Sequence, residues 1–195
     1  MKRTEFTFCP QCGQRSLQYR NERHWICPEC GFDLYHNVAA AVGVVLEING
    51  KLLTVVRKKD PARGLLALPG GFIDPGERAE DAVLRECREE IGIEPQEISF
   101  LCTFPNTYEY KGITYRTCDI YFTGTIQAAS GGPLPFSEQD MLSSFVPSAE
   151  EVSGFVLITP DEIEAAPIAF DSLRKALMEW RVRYRQGLPL RGRVP

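Results

Sequence analysis

Histidine is nearly missing from this chain, with 2 residues in 195. Neither His24 nor His36 is assigned a role, because a lone histidine is more often a packing or surface residue than a ligand. Long apolar runs are missing too. The longest, residues 38–46, contains a glycine and falls far short of the roughly 18 residues a membrane-spanning helix needs. There is no surplus of positive charge: 22 Lys and Arg against 26 Asp and Glu leave a net charge of −4. That balance argues against a general nucleic-acid binder, which would be basic. No apolar segment follows the basic residues of the N-terminus, so a secretory signal is not expected and the cytoplasm is the expected compartment. An even cysteine count is also lacking. Seven cysteines in a reducing compartment read as thiols or metal ligands rather than disulfides.

What remains is an ordinary soluble composition, 44% hydrophobic and 25% charged, long enough for one core of about 150 residues plus a small module. The small module comes first. Cys9-Pro10-Gln11-Cys12-Gly13 and Cys27-Pro28-Glu29-Cys30-Gly31 are two copies of one knuckle, and together they supply four sulfurs for tetrahedral Zn²⁺. The alternatives are a redox Cys-x2-Cys pair or two disulfides. The duplication and the lack of a βαβ setting argue against the first. A segment this short, with few large apolar side chains, needs a metal to fold. Four cysteines close the site, so the zinc is expected to be structural. Short strands are expected at residues 17–20 and 24–26, around a turn at Asn21-Glu22-Arg23.

The second part is expected to alternate strands with two main helices. Residues 38–48 and 51–57 form a hairpin about Asn49-Gly50, and residues 65–68 make a short strand before Pro69-Gly70-Gly71. A helix over residues 79–91 ends at Gly92. Two strands are expected at 97–104 and 113–126, with residues 106–112 as the hairpin tip. A Gly/Pro/Ser loop at 128–135 follows, then an irregular stretch at 137–150 with a short helical turn. A strand at 152–158 leads to a helix opening at Thr159-Pro160-Asp161-Glu162. A last helix at 172–186 carries Leu173, Leu177, Trp180 and Tyr184 on one face. The basic, Pro-containing residues 188–195 read as a loose tail.

The helix at 79–91 carries the chemistry. Glu86, Glu89 and Glu90 stand at i, i+3 and i+4, and so share one stripe of its surface. Like charges that close repel one another, and most such runs are solvated faces. An all-oxygen set with no nearby histidine otherwise suits Mg²⁺ or Mn²⁺. Val83, Leu84, Cys87 and Ile91 form the apolar stripe, and Ala79 and Ala82 within the acidic stripe leave room for a cation.

The spacing decides between these readings. Gly71, Glu77, Arg85-Glu86-Cys87, Glu89-Glu90 and Gly92-Ile93 match every fixed position of the Nudix box, and the chain resembles the Nudix hydrolase family. That resemblance implies an α/β fold, a Nudix α/β/α sandwich with a mixed sheet, preceded here by a zinc ribbon. The expected division is 1–36 ribbon, 37–187 catalytic domain and 188–195 tail. It also implies Mg²⁺-dependent cleavage of the pyrophosphate bond of a nucleoside diphosphate linked to another moiety. By position in the box, Glu86, Glu89, Glu90 and the Gly70 carbonyl are the expected cation ligands, and Glu77 pairs with Arg85. The general base is expected to be Glu86, Glu89 or a later carboxylate, with Glu151 favoured over Glu150 and Glu138.

A ribbon ahead of a Nudix domain resembles the NADH pyrophosphatases and a group of plant FAD/ADP-ribose pyrophosphatases. The aromatic and proline array that the NADH enzymes carry after the box is replaced here by Thr103-Phe104-Pro105-Asn106-Thr107-Tyr108-Glu109-Tyr110. The substrate is therefore expected to be dinucleotide or ADP-ribose-like, with Arg57, Phe104 and Tyr108 as the candidate contacts, and Arg63, Tyr110 and Tyr115 behind them. A homodimer is an expectation from the same resemblance. The competing class is a nucleotide-sensing regulator or RNA-binding module without hydrolysis, whose usual sign is a degenerate box. This box is intact.

Overall fold

The structure is a computed structural model that describes residues 6–126 and 137–187. The expected loop at 128–135 and the tail at 188–195 lie outside the described residues, as does the side chain of Glu138. The ribbon forms its own antiparallel sheet, β1 (Gln18–Arg20), β2 (His24–Ile26) and β3 (Asp33–Tyr35), in that order. The third strand had no signal in the sequence because all three of its residues face solvent. Asn21 and Glu22 turn the first hairpin with φ of 51° and 53°. With so little apolar material, the ribbon's centre is one side chain. Trp25 is buried and touches the rings of Phe6, Tyr19 and His36.

The main sheet runs β6-β5-β4-β8-β7, with β9 also paired to β5. Its strands are β4 (Ala39–Ile48), β5 (Lys51–Arg57), β6 (Leu66–Ala67), β7 (Gln96–Tyr110), β8 (Ile113–Thr125) and β9 (Val152–Ile158). The β4–β8 pair is parallel and the rest are antiparallel, so the sheet is mixed. Only the base of β4 pairs with β5. Further along, β4 bonds instead to the segment after β6: Val44 N–H donates to Pro69 O, Val42 N–H to Gly71 O, and Ile73 N–H to Ala40 O. The strand that anchors the sheet thereby anchors the Gly70-Gly71 turn as well.

Three helices surround this sheet among the described residues: α1 (Ala79–Ile91), α2 (Glu138–Ser144) and α3 (Asp171–Arg185). Helix α1 packs on β4, and α3 packs on β7. Val83, Cys87 and Ile91 enter the core as the periodicity requires, while Leu84 is half-buried. Ala82 lies in the core as well, fully buried, so it does not open space in the acidic stripe. Leu173, Leu177 and Trp180 are buried on α3, with the half-exposed Tyr184 ring stacked on Trp180.

Two expectations need correction. The hairpin after α1 does not turn over residues 106–112. Strand β7 continues to Tyr110 and only Lys111-Gly112 turn, with φ of 48° and 80°. Positive φ at both positions is the tight turn whose twist matches the strands, and the extension places Asn106, Tyr108 and Tyr110 on strand rather than loop. The helix expected at residue 159 shrinks to a single 3₁₀ turn at Glu162–Glu164. Its start is capped by Glu162, whose carboxylate accepts from both the Thr159 N–H and hydroxyl, but Pro167 follows within a turn and no longer helix forms.

Candidate active site

A single cleft of about 510 Å³ gathers the acidic face of α1, the Gly70-Gly71 turn, the exposed half of β7 and β8, and the start of α3. The turn exists because of two glycines. A Cβ on Gly70 would sit 2.1 Å from the Val42 carbonyl oxygen, and its φ of 148° is closed to other residues. A Cβ on Gly71 would sit 2.5 Å from Glu86 Oε1. The bare backbone thus lets Glu86 and Glu90 approach from α1. Glu90 Oε2 accepts the Gly70 N–H at 2.9 Å, and both carboxyls are buried, 7% and 8% exposed.

Arg85 organises the rest. Its guanidinium grips Glu77 with two bonds, 2.8 and 3.0 Å, reaches Glu86 Oε1 at 2.8 Å and Glu89 Oε2 at 3.3 Å, and donates to the Phe72 carbonyl at 3.0 Å. The Glu77–Arg85 pair that the box implies is present in this bidentate form, the stronger geometry for such a pair. The arginine holds Glu77 down to about 2. One cation of the protein itself therefore serves four carbonyl and carboxyl partners. The acidic stripe is tied to the loop and is not a loose solvated face.

Burial pushes the Glu86 carboxyl up, against the pull of Arg85. Glu90 is pushed up to about 8, first by desolvation and then by the charges of Glu86 and Glu151, against the Gly70 N–H. Desolvation of two carboxyls side by side disfavours their charged forms, and a cation bound there would offset that cost. The all-oxygen donor set fits a hard divalent ion. The carboxyls are not gathered into a closed cage. Among the described residues, only Cys9, Cys12, Cys27 and Cys30 bring all their ligand atoms within 4.8 Å of one another. The Cys9–Cys30 and Cys12–Cys27 sulfurs lie 3.6 and 3.7 Å apart. Tetrahedral zinc with bonds of about 2.3 Å requires edges of about 3.8 Å, so the quartet fits that ion.

The other expected residues divide. Glu151 lines the cleft at the start of β9, where Lys59 Nζ donates to it at 2.9 Å; Glu150 is more exposed and 3.7 Å from the same ammonium. Arg57 lines the cleft, donates to the Pro61 carbonyl and lies over the Phe170 ring at 5.1 Å. Tyr108 joins Phe72 and Phe170 in an aromatic wall, with centroids 5.5 and 5.8 Å away. Phe104 is different. It packs against the core and is not part of the cleft lining, because it stands one register step too deep on β7. Sequence reasoning also missed Phe72, Lys59 and a buried polar group on β8, Thr117, Asp119 and Tyr121. The alternating polar residues of that strand were the available signal.

Residues 36–181 match the model of the NUDIX domain. The chain is a member of the NUDIX family. Over 195 residues it is 29% identical to the NAD-capped RNA hydrolase NudC of Pseudomonas putida strain GB-1, an alignment covering 95% of this chain and 59% of the relative. This chain thus spans under two thirds of that relative's length. A 70-residue stretch, 36% of this chain and 41% of the relative, is 44% identical to the ADP-ribose pyrophosphatase of Methanocaldococcus jannaschii. Among solved structures, a NUDIX hydrolase from Nitrosomonas europaea superposes with a TM-score of 0.62 at 23% identity, covering 95% of this chain and 96% of that one. The NUDIX domain of Shewanella oneidensis NrtR, complexed with ADP ribose, superposes with a TM-score of 0.56 at 25% identity over 78% of this chain and 90% of that one. The mixed α/β NUDIX fold expected from the box is the fold found.

Proposed function

We propose that this NUDIX protein is a Mg²⁺-dependent pyrophosphohydrolase that cleaves a nucleoside diphosphate linked to another moiety, dinucleotide or ADP-ribose-like. The observation that carries the reading is the pair of buried carboxyls, Glu86 and Glu90, seated on Gly70-Gly71 in a cleft that also holds an aromatic wall. Glu86, Glu89, Glu90 and the Gly70 carbonyl would hold the divalent ion, Mg²⁺ or Mn²⁺. When bound, that ion neutralises diphosphate charge and lowers the pKa of an attacking water. Arg85 keeps Glu86 and Glu89 aimed at the turn. Glu151 is the favoured general base among Glu86, Glu89 and Glu151, because it lines the cleft from a later segment and is not among the residues that would hold the ion. Arg57 would steady a phosphate and Tyr108 would stack on a base, while Phe104, packed against the core, lies outside the cleft lining.

The ribbon, residues 1–36, holds structural Zn²⁺ in this reading, ahead of the catalytic domain at 37–187. The knuckle thiols bind a metal only when unoxidised, which fits a reducing cytosolic setting. No helix among the described residues is long and apolar enough to cross a membrane. The low net charge argued against a nucleic-acid partner, yet a second groove carrying Lys58, Lys59, Arg63 and Lys111 adjoins the cleft through Lys59, Asp60 and Tyr110. That groove favours, as a second reading, a substrate with phosphates beyond the scissile pair, such as a nucleotide-capped RNA.

The test is release of nucleoside monophosphate from NADH, FAD, ADP-ribose and an NAD-capped oligonucleotide, with Mg²⁺ and with EDTA. Hydrolysis of at least one that is lost in EDTA and reduced about 10²-fold or more in Glu86→Gln is expected. Tight binding of a nucleotide with no hydrolysis of any would overturn the enzyme and favour a nucleotide sensor.

A further inference from the structure

The far end of the cleft holds a buried carboxyl that the proposed chemistry leaves unused. Asp119 is 7% exposed, lines the cleft, and has no ion-pair partner among the described residues. Three hydroxyls hold it. Thr117 Oγ1 donates to Oδ1 at 2.6 Å, Ser172 Oγ to Oδ2 at 2.7 Å, and the Tyr121 hydroxyl lies 3.4 Å from Oδ2 and 3.1 Å from Ser172 Oγ. The two short hydroxyl bonds are of the charge-assisted kind, and three donors leave one acceptor position open in a group with about four lone-pair sites.

Its position relative to the box follows from strand register. Asp119 lies opposite Ala41 on the parallel neighbour β4, and Ala41 is bridged on its other side to Phe72. Two strand spacings, about 10 Å, therefore separate the Asp119 backbone from the turn beside Glu86. The residues of β4 between them are Ala41 and Gly43, whose small side chains keep the cleft floor low. Leu173, Phe170 and Tyr108 wall the same end. A ligand with its diphosphate at Glu86 and Glu90 would carry its nucleoside toward this end, flat against apolar and aromatic surface with one acceptor at the bottom.

We propose that Asp119 is a specificity-determining residue that accepts a hydrogen bond from a donor on the substrate's nucleoside, a base N–H or a ribose O–H, with Thr117 and Ser172 as its positioning residues. This rests on the pyrophosphohydrolase reading for the placement of the diphosphate.

The experiment is equilibrium binding to the full chain, without Mg²⁺, of three probes: AMP, purine riboside 5′-monophosphate, which lacks the exocyclic amine, and 2′,3′-dideoxy-AMP, which lacks the diol. Asp119→Ala is expected to weaken AMP roughly 10- to 100-fold, the range for a hydrogen bond to a charged acceptor. Asp119→Asn, which keeps the shape and one acceptor oxygen, falls between the two and carries the test if the alanine variant does not fold. One of the two donorless probes should bind wild type and variants alike, and which one identifies the donor. Equal weakening of all three probes, no weakening of any, or no binding of AMP to wild type would overturn the proposal. A chain that hydrolyses nothing yet shows this coupling loses the proposed reaction and keeps this subsite.

Discussion

Glu90→Gln separates the electrostatic role of the buried carboxyls from their role in the fold. Glu90 is 8% exposed, and its pKa rises from 4.5 to about 8. At 1.36 kcal/mol per pKa unit that rise corresponds to about 5 kcal/mol, and relaxation of the site brings it to about 2–5 kcal/mol. The sign follows from proton linkage. Between the unfolded pKa and about 8 the folded, metal-free protein binds more protons than the unfolded chain, so its stability falls as pH rises through that window. Glutamine is neutral throughout and can still accept the Gly70 N–H. At pH 8.5 in EDTA the variant should therefore melt above wild type, by about 4–20 °C at about 2–4 °C per kcal/mol for a chain this size. At pH 5 the two should melt together. Mg²⁺ narrows that gap. At 100 times its dissociation constant the ion adds about 2.7 kcal/mol to wild type, and the variant should gain little of this while losing turnover. Melting by calorimetry at the two pH values, with and without Mg²⁺, reads all four states. A variant that melts at or below wild type at pH 8.5 in EDTA, with its Mg²⁺ response intact, would refute the argument.

Other perturbations test the neighbouring contacts. Gly71→Ala places a methyl 2.5 Å from Glu86 Oε1; turnover should fall about 10²-fold or more, since a displacement of about 1 Å at a catalytic group has that effect, while the melting temperature moves by only a few degrees. Arg85→Met removes the cation shared by Glu77, Glu86 and Glu89 and leaves three acids unopposed; a loss of about 3–5 kcal/mol is expected by denaturant unfolding, partly recovered by Mg²⁺. Cys27→Ser, or chelation of the ribbon metal, should expose Trp25 and red-shift its fluorescence, while the remaining sheet unfolds in a separate, later transition. Lys59→Ala releases Glu151 from its 2.9 Å partner; removing that cation should move the acidic limb of the pH–rate profile toward higher pH if Glu151 is the base, and an unchanged profile would assign that role to Glu86 or Glu89.

The parts of the molecule legible in its sequence are those where one local rule acts alone. Asn49-Gly50 sets the β4–β5 turn, Gly92 ends α1 with φ of 73°, and the paired knuckles bring four sulfurs together. The box reports its geometry because its residues touch one another: Arg85 reaches Glu77 and Glu86, and Glu86 lies on Gly71. Where the outcome depended on a partner distant in sequence, the signal failed. Residues 106–110 look like a polar loop until β8 pairs with them. Ala82 looks like part of the acidic stripe until the sheet beneath α1 buries it. Phe104 has the character of a base-stacking residue, and only its depth along β7 sets it against the core while Tyr108, further along, lines the cleft. Asp119 was invisible for the same reason, since its hydroxyl partner Ser172 is 53 positions away.

These failures and successes share a cause in the sheet. Strand β4 bonds on one side to the Gly70-Gly71 turn and on the other, in parallel, to β8. The half that would bind a cation hangs from the first edge, and the half that would hold the nucleoside hangs from the second. The first half is built from one contiguous segment of 24 residues, 70–93, whose spacing is fixed by a helix and a tight turn. The second half is assembled from β7, β8 and the start of α3, joined only through the sheet. A change in β8 can alter what is recognised without moving Glu86, because the spine between them carries only Ala41 and Gly43 at that level. Such an arrangement would let the reaction stay constant while the substrate changes, with the box carrying the chemistry and Asp119 and its neighbours, in the reading proposed above, meeting the nucleoside.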